Sequence, residues 1–488
     1  MAITKIGSLR TIEAFREYVG QIAAEIPVDG EVIGGASSPL AEGMEISGST
    51  GTLRVGNRWA IQPMEGWDAT FEGLPTDLTR RRWRHFGESG AKLVWGGEAV
   101  AVQHEGRANP RQLYISENCV AGLEELRELV ERTHRERWGS TDDFVIGLQV
   151  THSGRFSQPE SKDLRSPRVA CRHPLIDAKF GVYDDSAVLS DGEVEKIIER
   201  FVHAAVIARD AGYRFVDIKH CHGYLLHEFL GAHTRSGPYG GSFENRTRVL
   251  REIVAGIRRD APDIEIGVRV SMFDMVPFRP VTPGGGQRPA GKGVPVDHDQ
   301  CLPYQYGFGV DSGDPTRIDL GEGLKLLGLL RDLGIKLLNV SGGSPYYTPH
   351  LIRPALYPPS DSYQPPEDPL VGVARHLLAC RELKRAFPDL FILGSAFTYL
   401  QDWLPNVAQA VVREGWMDSV GLGRIVLSYW GLPGDCLEGK ALTKKFFCRT
   451  FSDCTTAPRN GIVSGCYPLD PYYAELPEAD ELKRAKEA

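Results

Sequence analysis

Positive charge is in short supply in this chain. It carries 56 Lys and Arg against 64 Asp and Glu, a formal net charge of -8 over 488 residues. A nucleic-acid binder needs a basic excess to meet phosphate, so no nucleic-acid partner is expected. Cysteine is scarce as well, at nine in the whole chain, too few for a disulfide framework. No stretch approaches the ~20 apolar residues of a membrane span. The opening "MAITKIGSLRTIEAFREYVG" has no apolar core of signal-peptide length. These absences lead to the expectation of a soluble, cytoplasmic protein with no membrane partner. What is plentiful is core material: 42% of residues are hydrophobic, enough for a barrel with insertions or for two or three domains.

Short apolar runs alternate with longer helical patterns. Eight runs read as strands, at 58–64, 91–100, 143–150, 214–220, 264–271, 335–341, 390–395 and 418–424. They are continuously apolar, as strands covered on both faces should be. Helical periodicity follows at 78–89, 120–138, 191–212, 242–260, 321–334, 371–387 and 401–415. Eight such units predict an α/β fold, a (β/α)8 TIM barrel with its chemistry at the C-terminal ends of the strands. A doubly wound open sheet satisfies the same alternation and places ligands at the same ends. Two strand-to-helix insertions are long: 273–316, containing "PVTPGGGQRPAGKG", and 342–369, rich in Pro and Tyr. Loops of this length act as lids or binding loops, or are disordered insertions. The expected organisation is an N-terminal extension over 1–40, a barrel over 41–444 and a C-terminal extension over 445–488.

Several short motifs carry chemistry. "GLGR" (421–424) places two glycines and Arg424 where the eighth strand meets a helix, and the seventh run ends in the small residues of "LGSAFTY" (393–399). Backbone amides there approach a phosphate closely and an Arg grips it bidentately. "LQVTHSGR" (148–155) offers Gln149 at the end of strand three, a donor and acceptor for an amide-like edge. Arg269 in "GVRVS" is a lone charge in a strand, which needs an anionic or acceptor partner if buried. "VDIKHCHGYLLHEF" (216–229) gathers Lys219, His220, Cys221, His222 and His227. A metal site is the first chemistry this suggests. It would need further ligands, and neighbouring strand residues alternate faces, so no metal is expected.

In order, "NRWAIQPM", "GGEAVAV", "LQVTHSGR", "HGYLLHEFL", "YGGSFENRTRVLREIV", "VRVS" and "GLGR" resemble the old yellow enzyme family of FMN-dependent oxidoreductases. The resemblance runs from about Ser38 to Leu437 and lies nearest the branch of the 2,4-dienoyl-CoA reductases and trimethylamine dehydrogenases. It implies a barrel holding FMN, with NADH or NADPH as reductant and a small-molecule substrate carrying an activated C=C bond. By the same resemblance Pro63, Met64, Glu65 and Ala99 line the flavin. Gln149 meets its pyrimidine edge, Arg269 supports negative charge on the reduced ring, and Ser395, Ala396, Gly423 and Arg424 hold the phosphate. The catalytic set would be Lys219 and His222 as an oxyanion-binding pair, with Tyr224 as proton donor.

The chain departs from the family at three places. Lys219 stands where the family has the first His of its pair, which favours carboxylate, enolate or phenolate character in the substrate. Glu65 stands where a small residue is usual. In "FCRTFSDCTTAPRNGIVSGC" (447–466), Cys448, Cys454 and Cys466 keep the spacing of an iron–sulfur segment, but Phe451 occupies the fourth position. A [4Fe–4S] cluster ordinarily takes four thiolates, so no cluster is expected. The chain ends at Ala488 without a further dinucleotide domain, and a single-cofactor enzyme is the expectation. Three other readings stay open. One is oxidative dehydrogenation or demethylation of an amine or ether, with Trp67, Trp95, Tyr346 and Tyr347 as an aromatic cage. Another is a Schiff-base lyase using Lys219. The third is a non-catalytic flavin-bearing subunit that only relays electrons. Homo-oligomerisation is unreadable from the sequence.

Overall fold

The computed structural model describes residues 3–116, 118–284 and 290–487. Residues 285–289, in the Pro/Gly-rich insertion, lie outside the described residues. Eight parallel strands run in chain order: β1 (Trp59–Ile61), β2 (Leu93–Val94, resumed at Ala99–Ala101), β3 (Val145–Thr151), β4 (Phe215–His220), β5 (Glu265–Ser271), β6 (Leu337–Ser341), β7 (Phe391–Gly394) and β8 (Ser419–Leu422). Each pairs with the next, and β8 returns to β1 with Val420 opposite Trp59 and Leu422 opposite Ile61. The sheet is therefore closed, and the open-sheet alternative falls.

Several crossovers contain a helix whose start is written locally. The helix Asp77–Glu88 begins in a reciprocal cap between Thr76 and Thr79, and Asp191–Asp210 begins in one between Ser190 and Glu193. Pro369, preset for a first helical turn, opens Pro369–Ala386 behind the Asp368 cap. These helices pack their apolar faces on the outside of the strands. At the N-terminal end the barrel interior is filled by Trp95, Phe215, Leu337, Phe391 and Leu393. A hairpin of Met44–Ser47 and Thr52–Val55 closes that end and adds Ile46, Leu53 and Val55 to the same cluster.

Both long insertions flagged above are built structures where described. The first contains a small hairpin, Phe278–Pro280 with Gly293–Pro295. The second is pinned to β5's loop, because Tyr347 and Thr348 donate hydrogen bonds to buried Asp274. A third long connection, 152–190, has no Pro/Gly bias to announce it. It is fixed from inside by Arg155, which pairs with Asp177 and with Glu228 at 2.5 Å. The C-terminal segment folds back onto the first strand–helix unit: Ser464 accepts from the Trp67 amide at 2.8 Å, and Asp470 pairs with Arg81 of the helix Asp77–Glu88 at 2.8 Å.

Candidate active site

A cavity of about 900 Å³ opens at the C-terminal ends of the strands, and every residue singled out above for a flavin or catalytic role lines it. Strand register explains the convergence. Ala99 is opposite Gln149, Lys219 is opposite Arg269, and Arg269 is opposite Asn339, so these positions form one ring of the barrel top.

At one side of the cavity lie Ser395, Ala396, Gly423 and Arg424. Ala396 adopts a left-handed backbone at φ 73° and a Cβ on Gly423 would meet nothing within 4 Å, so the backbone stands open to the cavity. Ser395 Oγ is held at 3.0 Å by Gln62, which exchanges two hydrogen bonds with Asn339. Arg424 donates Nη2 to the Pro354 carbonyl at 3.1 Å, leaving buried Nη1 without a partner. Arg353, which sequence reasoning missed, sits beside it. Its Nε and one terminal nitrogen are buried and unpartnered, and burial, then Arg424, pulls its guanidinium down to about 9. Two adjacent guanidiniums with spare buried donors and an open backbone cradle fit a phosphate. No motif marks Arg353, which comes from the loop after β6.

Around the ring of the barrel, Gln149 donates Nε2 to Asp217 at 2.5 Å, which fixes its amide and leaves its carbonyl side for the cavity. Asp217 is the second omission of the sequence reading. Wholly buried, it is pushed up to about 6. Arg269 donates to the Pro63 carbonyl at 3.3 Å, while its Nε has no partner. Met64 and Ala99 complete the apolar wall.

The turn after β4 presents the predicted catalytic group. His222 has φ 70°, a left-handed backbone uncommon outside glycine, held by its amide donating to Ser271 Oγ at 3.0 Å. Its Nε2 lies 2.9 Å from Ser341 Oγ, and burial keeps the ring neutral. Lys219 is buried, its ammonium 3.6 Å from the centre of the Tyr224 ring, and burial lowers its pKa. Tyr224 donates to Glu65 at 2.6 Å and touches the Tyr346 hydroxyl at 3.1 Å; burial, then Glu65, holds the phenol protonated. His220 is spent on the Ile218 carbonyl at 3.1 Å, and His227 accepts the Gly223 amide at 3.0 Å, a structural turn lock. Among the described residues no three His, Cys, Asp or Glu are grouped to hold a metal.

The aromatic wall differs from the cage drawn from sequence. Trp95 belongs to the opposite end of the barrel, edge-on to Phe215 at 5.1 Å, because it precedes the break in β2. Phe156 and Phe180 from the 152–190 connection take its place, Phe156 stacking on Tyr346 at 3.8 Å. Trp67 donates to Glu65 at 3.3 Å.

Comparison with known proteins fits this architecture. Residues 50–279 match the NADH:flavin oxidoreductase / NADH oxidase family. A putative 12-oxophytodienoate reductase-like protein 2A of Arabidopsis thaliana is 30% identical over 182 residues, 34% of this chain and 68% of that protein. The chain belongs to this family. An NADPH dehydrogenase of Geobacillus sp. (strain WCH70) is 32% identical over 235 residues, 46% of this chain and 62% of that protein. Across this and five further fungal and bacterial family relatives, the aligned part spans 44% to 62% of their length. Among solved structures, a 2-naphthoyl-CoA reductase complexed with 2-naphthoyl-CoA superposes with TM-score 0.63 at 17% identity, over 89% of this chain and 57% of that one. That likeness concerns the fold. Among the described residues, no helix is long and apolar enough to cross a membrane.

Proposed function

We propose that the chain is an FMN-dependent oxidoreductase that takes electrons from NADH or NADPH and reduces a C=C bond activated by a carbonyl. The observation that carries this reading is the joining, in one cavity, of the Arg353–Arg424 anion pocket to the Gln149–Arg269 ring and the Lys219–His222–Tyr224 turn. Arg353 and Arg424, with the amides around Ser395, Ala396 and Gly423, would hold the flavin phosphate. Gln149 and Arg269 would meet the polar edge of its ring, and Pro63, Met64 and Ala99 its apolar side. When bound, FMN supplies two-electron transfer from the nicotinamide to the unsaturated acceptor.

The protein's own groups do the rest. Lys219 and His222 Nδ1 hold the carbonyl oxygen as negative charge develops on it. Tyr224 delivers a proton from its hydroxyl to the carbon beside that carbonyl. Half-buried Tyr346, in contact with the Tyr224 hydroxyl, leads from it towards the mouth. In the structure the Tyr224 proton is donated to Glu65, so the hydroxyl turns from Glu65 to the substrate carbon for the transfer, and Tyr346 donates to the phenolate left behind. Displacement of Trp95 removes one of the four aromatics that the amine or ether reading called on, and the lyase reading is disfavoured by family membership.

The test is anaerobic. The purified protein should bind FMN at about one per chain, be bleached by NADPH or NADH, and be reoxidised by 2-cyclohexenone. A protein that takes up no FMN on titration would refute the reading. So would one whose bound, reduced flavin is reoxidised by no enone, enal or unsaturated thioester.

A further inference from the structure

The cavity's charge runs opposite to that of the chain. Eleven Lys and Arg side chains line it, against two carboxylates among the described residues, Glu65 and Asp361. Six of the eleven are accounted for. Arg82 pairs with Asp68 and Glu98, and Arg155 with Asp177 and Glu228. Arg353, Arg424, Arg269 and Lys219 belong to the flavin and catalytic groups described above.

The surplus is concentrated at the mouth. Of the remaining five, Arg279 comes from the small hairpin of the first insertion, Lys162, Arg165 and Lys179 from the 152–190 connection and Arg459 from the C-terminal segment. The last two segments touch: a Cβ on Gly461 would lie 2.7 Å from the Lys162 stem. Lys162 pairs with Asp163 at 2.7 Å and Arg459 with Asp361. Arg165 and Lys179 pair with no carboxylate among the described residues. Arg165 donates to the Lys179 carbonyl, and Lys179 to the Tyr346 carbonyl at 3.1 Å. Both cations lie against the Phe180 ring, at 5.1 and 5.3 Å, and the Arg459 guanidinium is 5.8 Å from the Tyr346 ring. The Lys179 ammonium is lowered by burial and by Arg459 and Arg165, with Asp361 opposing. Like charges brought together on two segments repel, and an acidic chain has carboxylates to spare for neutralising them. A solvated face would interleave signs. This cluster instead stands beside an aromatic wall that leads inward to Tyr224, through Tyr346 and Phe156.

We propose that this rim binds the anionic end, carboxylate or phosphate, of an elongated reactant whose planar end lies against the Phe156–Tyr346 wall. The inference rests on the flavin-dependent reading above and names the substrate class for the same site. The anion has two possible sources, the oxidising substrate or the 2′-phosphate that distinguishes NADPH from NADH. Both present the same chemistry to Arg165 and Lys179.

The experiment uses the FMN-loaded enzyme and the double variant Arg165→Gln/Lys179→Gln in stopped-flow half-reactions. One arm compares cinnamaldehyde with 4-carboxycinnamaldehyde as oxidants of the reduced enzyme. The other compares NADH with NADPH as reductants. The expected result is that, in one arm, the apparent Kd of the charged member rises on the order of tenfold more than that of its neutral or less charged twin. Salt should erase this preference in the unmodified enzyme. A shift in the first arm identifies the substrate as the source of the anion, and a shift in the second identifies the nucleotide. Equal shifts within both pairs, or none, overturn the proposal. An enzyme that accepts electrons from NAD(P)H but reduces no unsaturated carbonyl compound would count against the function reading, and the nucleotide arm would still decide the rim.

Discussion

The two ends of this barrel are built from the same strands and could hardly differ more. The N-terminal end is a dry plug of Trp95, Phe215, Leu337 and Phe391 under a hairpin lid. The C-terminal end is a cavity crowded with cations, orphaned guanidinium donors and a His held at φ 70°. The closed end is apolar packing with one orphaned donor, the Trp95 indole nitrogen, while the open end, where the proposed site lies, gathers most of the strained and unpaired groups.

The comparison breaks most visibly if the plug is emptied. Trp95→Ala removes a fully buried indole and should cost about 3–5 kcal/mol of unfolding free energy. FMN affinity of the surviving folded protein should change little, as chemical denaturation and flavin titration together would show. A large loss of flavin affinity in folded protein would mean the two ends are not independent.

At the open end the order reverses, with function falling and stability holding. Tyr224→Phe should slow reoxidation of reduced enzyme by an enone about a hundredfold while leaving reduction by NAD(P)H near normal. Equal rates in the oxidative half-reaction would remove Tyr224 from the proton path. Arg353→Ala and Arg424→Ala should each weaken FMN binding by about 1.5–3 kcal/mol, readable by flavin fluorescence on titration. An Arg353 variant that retains flavin normally would restrict the phosphate site to Arg424 and the backbone.

The smallest effect is a slope. Burial pushes the Asp274 carboxyl from 3.8 up to about 7. A raised carboxylate pKa means the folded state binds the proton more tightly than the unfolded chain. Its stabilising contribution is therefore greatest below about pH 4 and is lost as pH rises towards about 7. Asp274→Asn should flatten that part of the stability profile. An unchanged profile would show that Asp274 does not feel its burial.

How much of this was legible beforehand differs between the same two ends. The strands were readable because burial on both faces makes them continuously apolar, and the helices because their apolar residues recur with helical periodicity, as over Asp191–Asp210. The first layer of the site was readable because ordered motifs sit at strand ends. Arg353, Asp217 and Phe156 were not. Arg353 and Phe156 lie in irregular loops with no periodicity, and their meaning comes from neighbours distant in the chain, Arg424 and Tyr346. Asp217 looks like an ordinary polar position in a strand until the register sets it opposite Gln149. Trp95 was misread for the opposite reason. An aromatic near a family motif suggests a ligand wall, but the break in β2 puts it below that motif and inside the plug.

The neighbouring guanidiniums of Arg353 and Arg424 carry a consequence for durability. Two like charges held together under burial make the flavin-free form the less durable one, and any dianion between them relieves the repulsion. Apoprotein should melt several degrees higher in phosphate or sulfate than in chloride at equal ionic strength, and higher again with FMN. Ligand binding of this kind adds stability as RT ln(1 + [L]/Kd). Resistance to added protease should climb along the same curve as FMN is titrated into the apoprotein.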